Sequence, residues 1–165
     1  MDYQFKVNTP YPELKGKENN SFYVSLLKNL YAGKNSELTA ILQYIYQAHY
    51  FEPINAETAD AILKISLVEM EHLELLANAI IFFGGDPKYV SSKDMFFSAK
   101  AVDYSKEYTE MLIADMEGEK AAIQAYGDTA SIVKNDSLKR LLLRIRYEEE
   151  LHYAIFERLL TNAIF

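Results

Sequence analysis

The sequence predicts an all-α protein, a four-helix bundle made of two helix hairpins joined by a long crossover connection. Apolar residues recur at spacings of three and four in four separate stretches, which is the periodicity of amphipathic helices. No stretch alternates polar and apolar residues for long enough to demand a strand. Residues 84–103 show no clean period, and a connection of that length between helices usually crosses a bundle.

The chain is expected to begin with an extended arm, residues 1–19, and to continue as one bundle domain, residues 20–165. Pro10, Pro12 and Gly16 interrupt the arm before the first long apolar pattern begins.

The first helix is expected to start at a cap formed by Asn20 or Ser21, because short polar side chains can accept hydrogen bonds from the first free backbone N–H groups. It should end before Pro53, since the residue that precedes a proline is pushed out of helical geometry. Gly33 interrupts the apolar pattern and weakens the prediction locally.

The second helix is expected to start at an Asn55 cap and to end at Gly84 and Gly85, where glycine can adopt the left-handed conformation that ends many helices. Ser105 is the expected cap of the third helix, which should run to about Val133.

A fourth, leucine-rich helix should follow a short break at residues 135–137. Each helix would hold roughly 25 to 30 residues and measure about 40 Å along its axis.

Composition excludes several classes of function. A net charge of −7 without a basic stripe argues against nucleic acid as a partner. The lack of cysteine excludes disulfides, thiolate catalysis, iron–sulfur clusters and cysteine-based zinc sites. No apolar run reaches the roughly 18 residues of a membrane span, and the polar N-terminus does not resemble a signal peptide, so the cytoplasm is the expected location.

Two of the three histidines follow a glutamate at a spacing of three. Glu69 precedes His72 in the second helix, and Glu149 precedes His152 in the fourth. Side chains three apart share a helix face, so each pair presents an oxygen and a nitrogen in the same direction.

A second repeat, Glu-x-x-Ala-Ile-x-x-Tyr, occurs in the other two helices. It joins Glu37 to Tyr44 in the first helix and Glu119 to Tyr126 in the third. The glutamate and the tyrosine lie seven residues apart, which places them two turns apart on one stripe of the helix.

The two repeats together supply four carboxylates and two imidazoles. Burying four carboxylates near each other is unfavourable unless cations balance them, and two divalent ions would do so. Oxygen ligands with imidazole suit iron or manganese, and the ligand set alone does not choose between the two. The alternative interpretation is a polar core whose groups satisfy one another without metal.

These motifs resemble those of the ferritin-like dimetal-carboxylate superfamily. The stretch SELTAILQYIYQ resembles the first metal-binding helix of bacterioferritins, and VEMEHLELLANAI followed by GGDP is similar to the second helix of rubrerythrins and manganese catalases. The resemblance implies a ferritin-like bundle with two iron or two manganese ions per chain. The implied bridging ligands are Glu69 and Glu149.

The resemblance also implies the remaining roles around the two ions. Glu37 and Glu119 would be terminal ligands, and His72 and His152 would each bind one metal. Tyr44 and Tyr126 would donate hydrogen bonds to carboxylates across the bundle.

Some features depart from particular relatives. Rubrerythrins carry a rubredoxin-like domain with four cysteines, which are absent here, and an extra glutamate near the ligand of the third helix, where this chain has Met116 and Ala122. The sequence stops at Phe165 soon after the fourth helix, which disfavours a 24-subunit iron store. Met70 lies where bacterioferritins keep a haem-ligating methionine, but a methionine there is also ordinary core or interface packing, and haem is not expected.

Three functions fit the sequence. The first is redox chemistry with peroxide or dioxygen, of the peroxidase or catalase kind, for which any electron donor must be external and is not identified. The second is ferroxidase-type iron binding and detoxification, and the third is a structural helical module with a stabilising metal.

A homodimer is the expected assembly, since the 13 tyrosines and 9 phenylalanines exceed what four helix stripes can bury. The aromatic residues expected at its interface are Tyr23, Tyr46, Tyr50, Phe96 and Phe97.

The remaining acidic residues near the motifs are expected to be peripheral. Solvated flanks are expected at Glu71, Glu74, Glu148 and Glu150. Asp115, one turn from Glu119, could either support the ligands or lie at the surface, and His49 is expected at the surface or at an interface.

Overall fold

The computed structural model describes residues 3–16 and 18–164 of the chain. The expected arm and domain therefore include Met1, Asp2, Lys17 and Phe165, which lie outside the described residues.

The protein is an all-α bundle of two antiparallel hairpins, as predicted. The helices are α1 (Ser21–Ala32), α2 (Glu37–Phe51), α3 (Ala56–Phe82), α4 (Tyr108–Ile132) and α5 (Asp136–Ile164). Helix α2 packs mainly on α3, and α4 packs mainly on α5. The long connection between α3 and α4 contains one short 3-10 helix, Ala99–Ala101, and an isolated bridge between Val90 and Phe96, but no strand within the described ranges.

The predicted first helix is divided into α1 and α2. Residues 33–36 form a bend, and the Ser36 side chain accepts a hydrogen bond from the Thr39 N–H to start α2. A Cβ atom at Gly33 would lie 2.4 Å from the carbonyl oxygen of Asn29, so only glycine fits this turn. The division makes Glu37 the first residue of α2 rather than a residue inside a long helix.

Most helix ends follow the predicted signals. Asn20 and Asn55 cap α1 and α3 through their side chains, and Gly84 adopts a φ of +83° just after α3. The prediction for Ser105 is wrong. Helix α4 begins at Tyr108, and the Ser105 N–H instead donates to the Asp103 carboxylate within the connection.

The break before α5 is shorter than expected. The Asn135 side chain accepts hydrogen bonds from the N–H groups of Ser137 and Leu138, so the helix already begins at Asp136.

Two apolar clusters fill the bundle at different heights. One contains Leu76, Tyr126 and Ile145, and the other contains Ile65 and Leu112. Along α3, α4 and α5 the glutamates and histidines of the two predicted motifs lie between these clusters. The polar centre is therefore enclosed above and below by packed hydrocarbon.

The described part of the N-terminal segment, residues 3–16, contains no helix or strand and lies against α5. The guanidinium of Arg144 donates hydrogen bonds to the carbonyls of Val7 and Thr9, and the Lys15 N–H donates to Ser137. No helix in the described ranges combines the length and the apolar character that crossing a membrane would require.

Candidate metal centre

The six predicted ligands converge in the middle of the bundle. They form two groups whose oxygen and nitrogen atoms lie within 4.8 Å of one another. The first group contains Glu37, Glu69, His72 and Glu149, and the second contains Glu69, Glu119, Glu149 and His152. Both groups share Glu69 and Glu149. All six side chains are between 0 and 4% exposed, so this is an interior site.

Both histidines direct Nδ1 at the carboxylates. Nδ1 of His72 lies 2.9 Å from Glu69 Oε2 and 3.1 Å from Glu149 Oε1. Nδ1 of His152 lies 2.7 Å from Glu69 Oε1 and 3.6 Å from Glu149 Oε2. Glu37 and Glu119 are more distant from these nitrogens, at 3.8 and 4.0 Å respectively.

The second nitrogen of each histidine points away from the four carboxylates of the two groups. Nε2 of His152 lies 2.9 Å from the Phe5 carbonyl oxygen, and Nε2 of His72 lies 3.0 Å from Glu148 Oε2. A carbonyl and an ionised carboxylate only accept hydrogen bonds, so Nε2 carries the proton in both rings. In the neutral rings Nδ1 is then left with a free lone pair that faces the cluster.

Each apolar cluster contributes one tyrosine to the centre. The Tyr44 hydroxyl donates to Glu119 Oε1, and the Tyr126 hydroxyl donates to Glu37 Oε1. Both bonds cross from one hairpin to the other. They fix one oxygen of each carboxylate and leave the other oxygen for the cluster.

Burial and mutual repulsion divide the carboxyl groups into two kinds. Burial, together with the charges of Glu69 and Glu149, raises the pKa values of Glu37 and Glu119 well above the usual range. Burial also acts to raise the pKa of Glu69, but the charges of His152 and His72 outweigh it and the pKa is lowered. The carboxylates in turn raise the pKa of His152 to about 10, against the opposing effect of burial.

The donor set fits divalent cations. Glu69 Oε1, Glu149 Oε1 and His152 Nδ1 have no hydrogen-bond partner of suitable geometry among the described residues, although the first and last of these atoms are only 2.7 Å apart. If His152 were neutral, the lone pair of its Nδ1 would face a carboxylate lone pair at this distance, so the contact calls for either a proton on Nδ1 or a cation between the two atoms. Buried polar atoms without partners are costly, and a cation would remove that cost.

A cavity of about 460 Å³ connects the centre with the surface between α2 and α4. All four carboxylates of the two groups line it, whereas neither histidine does. Gln43, Asp103 and Lys34 are among the other lining residues. Small molecules would therefore reach the centre from its carboxylate side.

The prediction that Glu148 is a solvated flank is wrong. Its side chain is fully buried, because the N-terminal segment covers this face of α5. The Val7 N–H donates to Oε1 at 2.8 Å, and the Tyr11 hydroxyl donates to Oε2 at 2.7 Å. The only local sequence signal is Arg144, four residues earlier, which pairs with Glu148 at 2.7 Å.

Asp115 is buried rather than exposed. The Gln43 amide donates to its Oδ1 at 2.8 Å, and the Gln43 oxygen accepts from the Asp103 N–H. Burial raises the pKa of Asp115 despite the Gln43 hydrogen bond. This polar chain ties α4 to the crossover connection beside the cavity.

Two further expectations concern the surface. Tyr23 is not an interface residue, because its ring is 6% exposed and packs edge-on against Phe83 in the core. Phe96 is 79% exposed in the single chain. A residue that is buried only at an interface with another molecule would show such exposure. Glu71, Glu74 and Glu150 are exposed as predicted, and so is His49.

The fold recurs in proteins of known class. The family model of the ferritin-like domain matches residues 27–163. A probable manganese catalase of Clostridium acetobutylicum is 22% identical over 91% of this chain and 75% of that protein.

Solved structures give the same result. A manganese catalase from Anabaena superposes with a TM-score of 0.87 at 22% identity, covering 99% of this chain and 81% of that one. The bacterioferritin of Desulfovibrio desulfuricans gives a TM-score of 0.74 at 26% identity, covering 86% of this chain and 79% of that one. The chain belongs to the ferritin-like domain family.

Proposed function

We propose that the chain binds two divalent ions, manganese or iron, and uses them for redox chemistry on hydrogen peroxide. Glu69 and Glu149 would bridge the two ions, because both of the ligand groups contain them. Glu37 and His72 would complete the ligand set of one ion, and Glu119 and His152 would complete that of the other. Four carboxylates then balance two divalent charges inside the bundle.

The observation that carries the proposal is the direction of the lone pairs. Six buried side chains from four helices aim carboxylate oxygens and imidazole Nδ1 atoms at two adjacent points. Hydrogen bonds from outside the cluster hold several of them in this orientation, as in known metal sites. A core of mutually satisfied polar groups would not leave three such atoms without partners.

The favoured reaction is disproportionation of peroxide, in which one peroxide is reduced to two waters and a second is oxidised to dioxygen. When bound, a pair of redox-active ions supplies two one-electron couples for this exchange. Support comes from the extensive likeness to manganese catalases, which covers 99% of this chain in one solved structure. Such a cycle needs no external electron donor.

The chain's own residues would control the entry of the oxidant and hold the protons that the reaction consumes and releases. The cavity admits a small oxidant to the carboxylate side, while the apolar clusters close the centre above and below. The reductive half consumes two protons and the oxidative half releases two. A tyrosine hydroxyl can donate or accept, so Glu37 and Glu119 can hold a proton at Oε1 and keep their hydrogen bonds to Tyr126 and Tyr44.

The test is metal content and peroxide consumption measured on the same preparations. Two ions per chain, with oxygen release from peroxide by the manganese-loaded form, is the expected result. Oxygen uptake on adding ferrous iron, without peroxide consumption by either form, would favour the ferroxidase function instead. Tight metal with neither activity would leave only a structural role.

A further inference from the structure

The two proposed metal positions have equal ligands but unequal surroundings. Each position takes one histidine, one unshared glutamate and the two shared carboxylates. The outward nitrogens of the histidines end on different acceptors: His72 donates to the side chain of Glu148, and His152 donates to the backbone carbonyl of Phe5. One acceptor is an anion and the other is a neutral dipole.

The structure keeps Glu148 ionised in the interior. Its two oxygens receive hydrogen bonds from the Val7 N–H and the Tyr11 hydroxyl, and the Arg144 guanidinium lies 2.7 Å away. A guanidinium and two hydrogen-bond donors stabilise the ionised form of a buried carboxyl group. The carboxylate opposite His72 therefore carries a full negative charge.

The same network holds the acceptor of His152. Arg144 donates to the carbonyls of Val7 and Thr9 and stacks on the Tyr11 ring at 4.8 Å, which fixes the course of the N-terminal segment. Phe5 is two residues before Val7 on this segment, and its side chain packs on the apolar cluster that contains Ile155. One segment thus supports both histidines in different ways.

An anionic acceptor makes an imidazole a stronger metal ligand than a neutral acceptor does. Partial withdrawal of the Nε2 proton toward a carboxylate increases the electron density at Nδ1. Changes to such partners typically alter metal affinity by about 10- to 100-fold.

We propose that Glu148 is a positioning residue that makes the two metal positions unequal, so that the ion beside His72 binds first and more tightly than the ion beside His152. The N-terminal segment takes part in this by burying Glu148 and by giving His152 a neutral acceptor. The inference rests on the proposed dimetal function, because it concerns the order in which that centre fills.

The first test titrates the metal-free full chain with Mn²⁺ alone and follows binding by calorimetry. Two steps with affinities that differ by about tenfold or more are expected. Two equivalent steps would overturn the inference and leave the proposed function intact, whereas no binding would remove the proposed function itself.

The second test determines which metal position, the one beside His72 or the one beside His152, gives the tighter binding step. Glu148→Gln keeps an acceptor but removes the charge, and it should weaken Mn²⁺ binding about tenfold in a His152→Ala background. In a His72→Ala background the same change should leave the remaining step unaltered. Equal weakening in both backgrounds, or none in either, would contradict the assignment.

Two variants complete the design. Glu150→Gln changes an exposed carboxylate two residues away and should alter neither step. If Glu148→Gln does not fold, Tyr11→Phe removes only one hydrogen bond to Glu148 and should still narrow the gap between the two steps. A folded Tyr11→Phe protein with an unchanged gap would then count against the inference.

Discussion

The two sides of the polar centre are built in contrasting ways. On the side of α2 and α4, four carboxylates line a cavity of about 460 Å³. On the opposite side, the outward nitrogens of both histidines end on Glu148 and on the Phe5 carbonyl, beneath the N-terminal segment. The carboxylate side is suited to the passage of small molecules. The histidine side is suited to holding the two imidazole rings in a fixed orientation.

The contrast would let the proposed centre be both reactive and stable. Carboxylates can change their mode of binding, so a cavity beside them would place adaptable ligands next to the proposed oxidant. An imidazole nitrogen offers a metal its lone pair in only one direction, and hydrogen bonds from a packed segment to the other nitrogen can fix that direction. Changes on the two sides should therefore have different consequences, which can be ranked.

The largest effect is expected on the carboxylate side, from Glu119→Ala. This change removes an unshared ligand, so one of two ions per chain should be lost and peroxide consumption should fall to background. Metal analysis of the purified variant gives the answer. Retention of both ions would show that α4 supplies a different ligand, and Glu110→Ala, at an exposed position of α4 away from the cavity, is the matched control.

Removal of metal should reverse the pH dependence of stability. In the metal-free protein the carboxylates raise the pKa of His152 from its ordinary 6.5 to about 10, so its stabilising contribution is complete below pH 6.5 and disappears toward pH 10. The raised pKa values of Glu37 and Glu119 act in the same direction, since their folded forms also retain protons. Stability should therefore fall as pH rises.

The metal-loaded protein should show the opposite slope, because divalent ions compete with protons for the same atoms and bind more strongly as pH rises. Thermal unfolding of chelator-treated and manganese-loaded samples between pH 6.5 and 8.5 compares the two slopes. Parallel slopes would mean that the ions do not bind at the titrating cluster.

On the histidine side, Arg144→Met should cost about 3 kcal/mol of unfolding free energy, since it leaves the buried Glu148 without its cationic partner. Arg146→Met breaks the neighbouring pair with Glu150, which is exposed and should be worth at most about 1 kcal/mol. Denaturant unfolding measures both values. Equal losses of unfolding free energy in the two variants would mean that the buried Arg144–Glu148 pair contributes no more to stability than the exposed Arg146–Glu150 pair.

The smallest effect is expected from narrowing the cavity. Ala122 lies on its wall, so Ala122→Phe should slow peroxide consumption severalfold while both ions stay bound. Ala154→Phe, at an exposed position on α5, controls for the added ring. A slowed variant that also loses metal would mean that the substitution distorts the centre rather than its entrance.

The sequence predicted the parts of the centre that depend on spacing within one helix. The Glu69–His72 and Glu149–His152 pairs share helix faces, and the asparagine caps follow from local hydrogen bonding. Such relations involve neighbours three or four residues apart, so they are visible in the linear pattern.

The features that were missed depend on contacts between distant segments. Glu148 lies in a run of three glutamates, and its burial depends on contacts with residues 76 to 141 positions earlier. The Phe5 acceptor is a backbone carbonyl. Every residue has one, so the sequence contains no signal for it. Tyr23 is equally ambiguous, since an aromatic ring suits a core or an interface until its neighbours are known.

The central claim is that two cations bind between the histidines at Glu69 and Glu149. Anomalous diffraction from crystals of the manganese-loaded protein tests it most directly. The expected result is two peaks, one facing Nδ1 of His72 and one facing Nδ1 of His152, with both shared carboxylates between them. A single peak, or a fully loaded crystal whose manganese lies only at the surface, would contradict it.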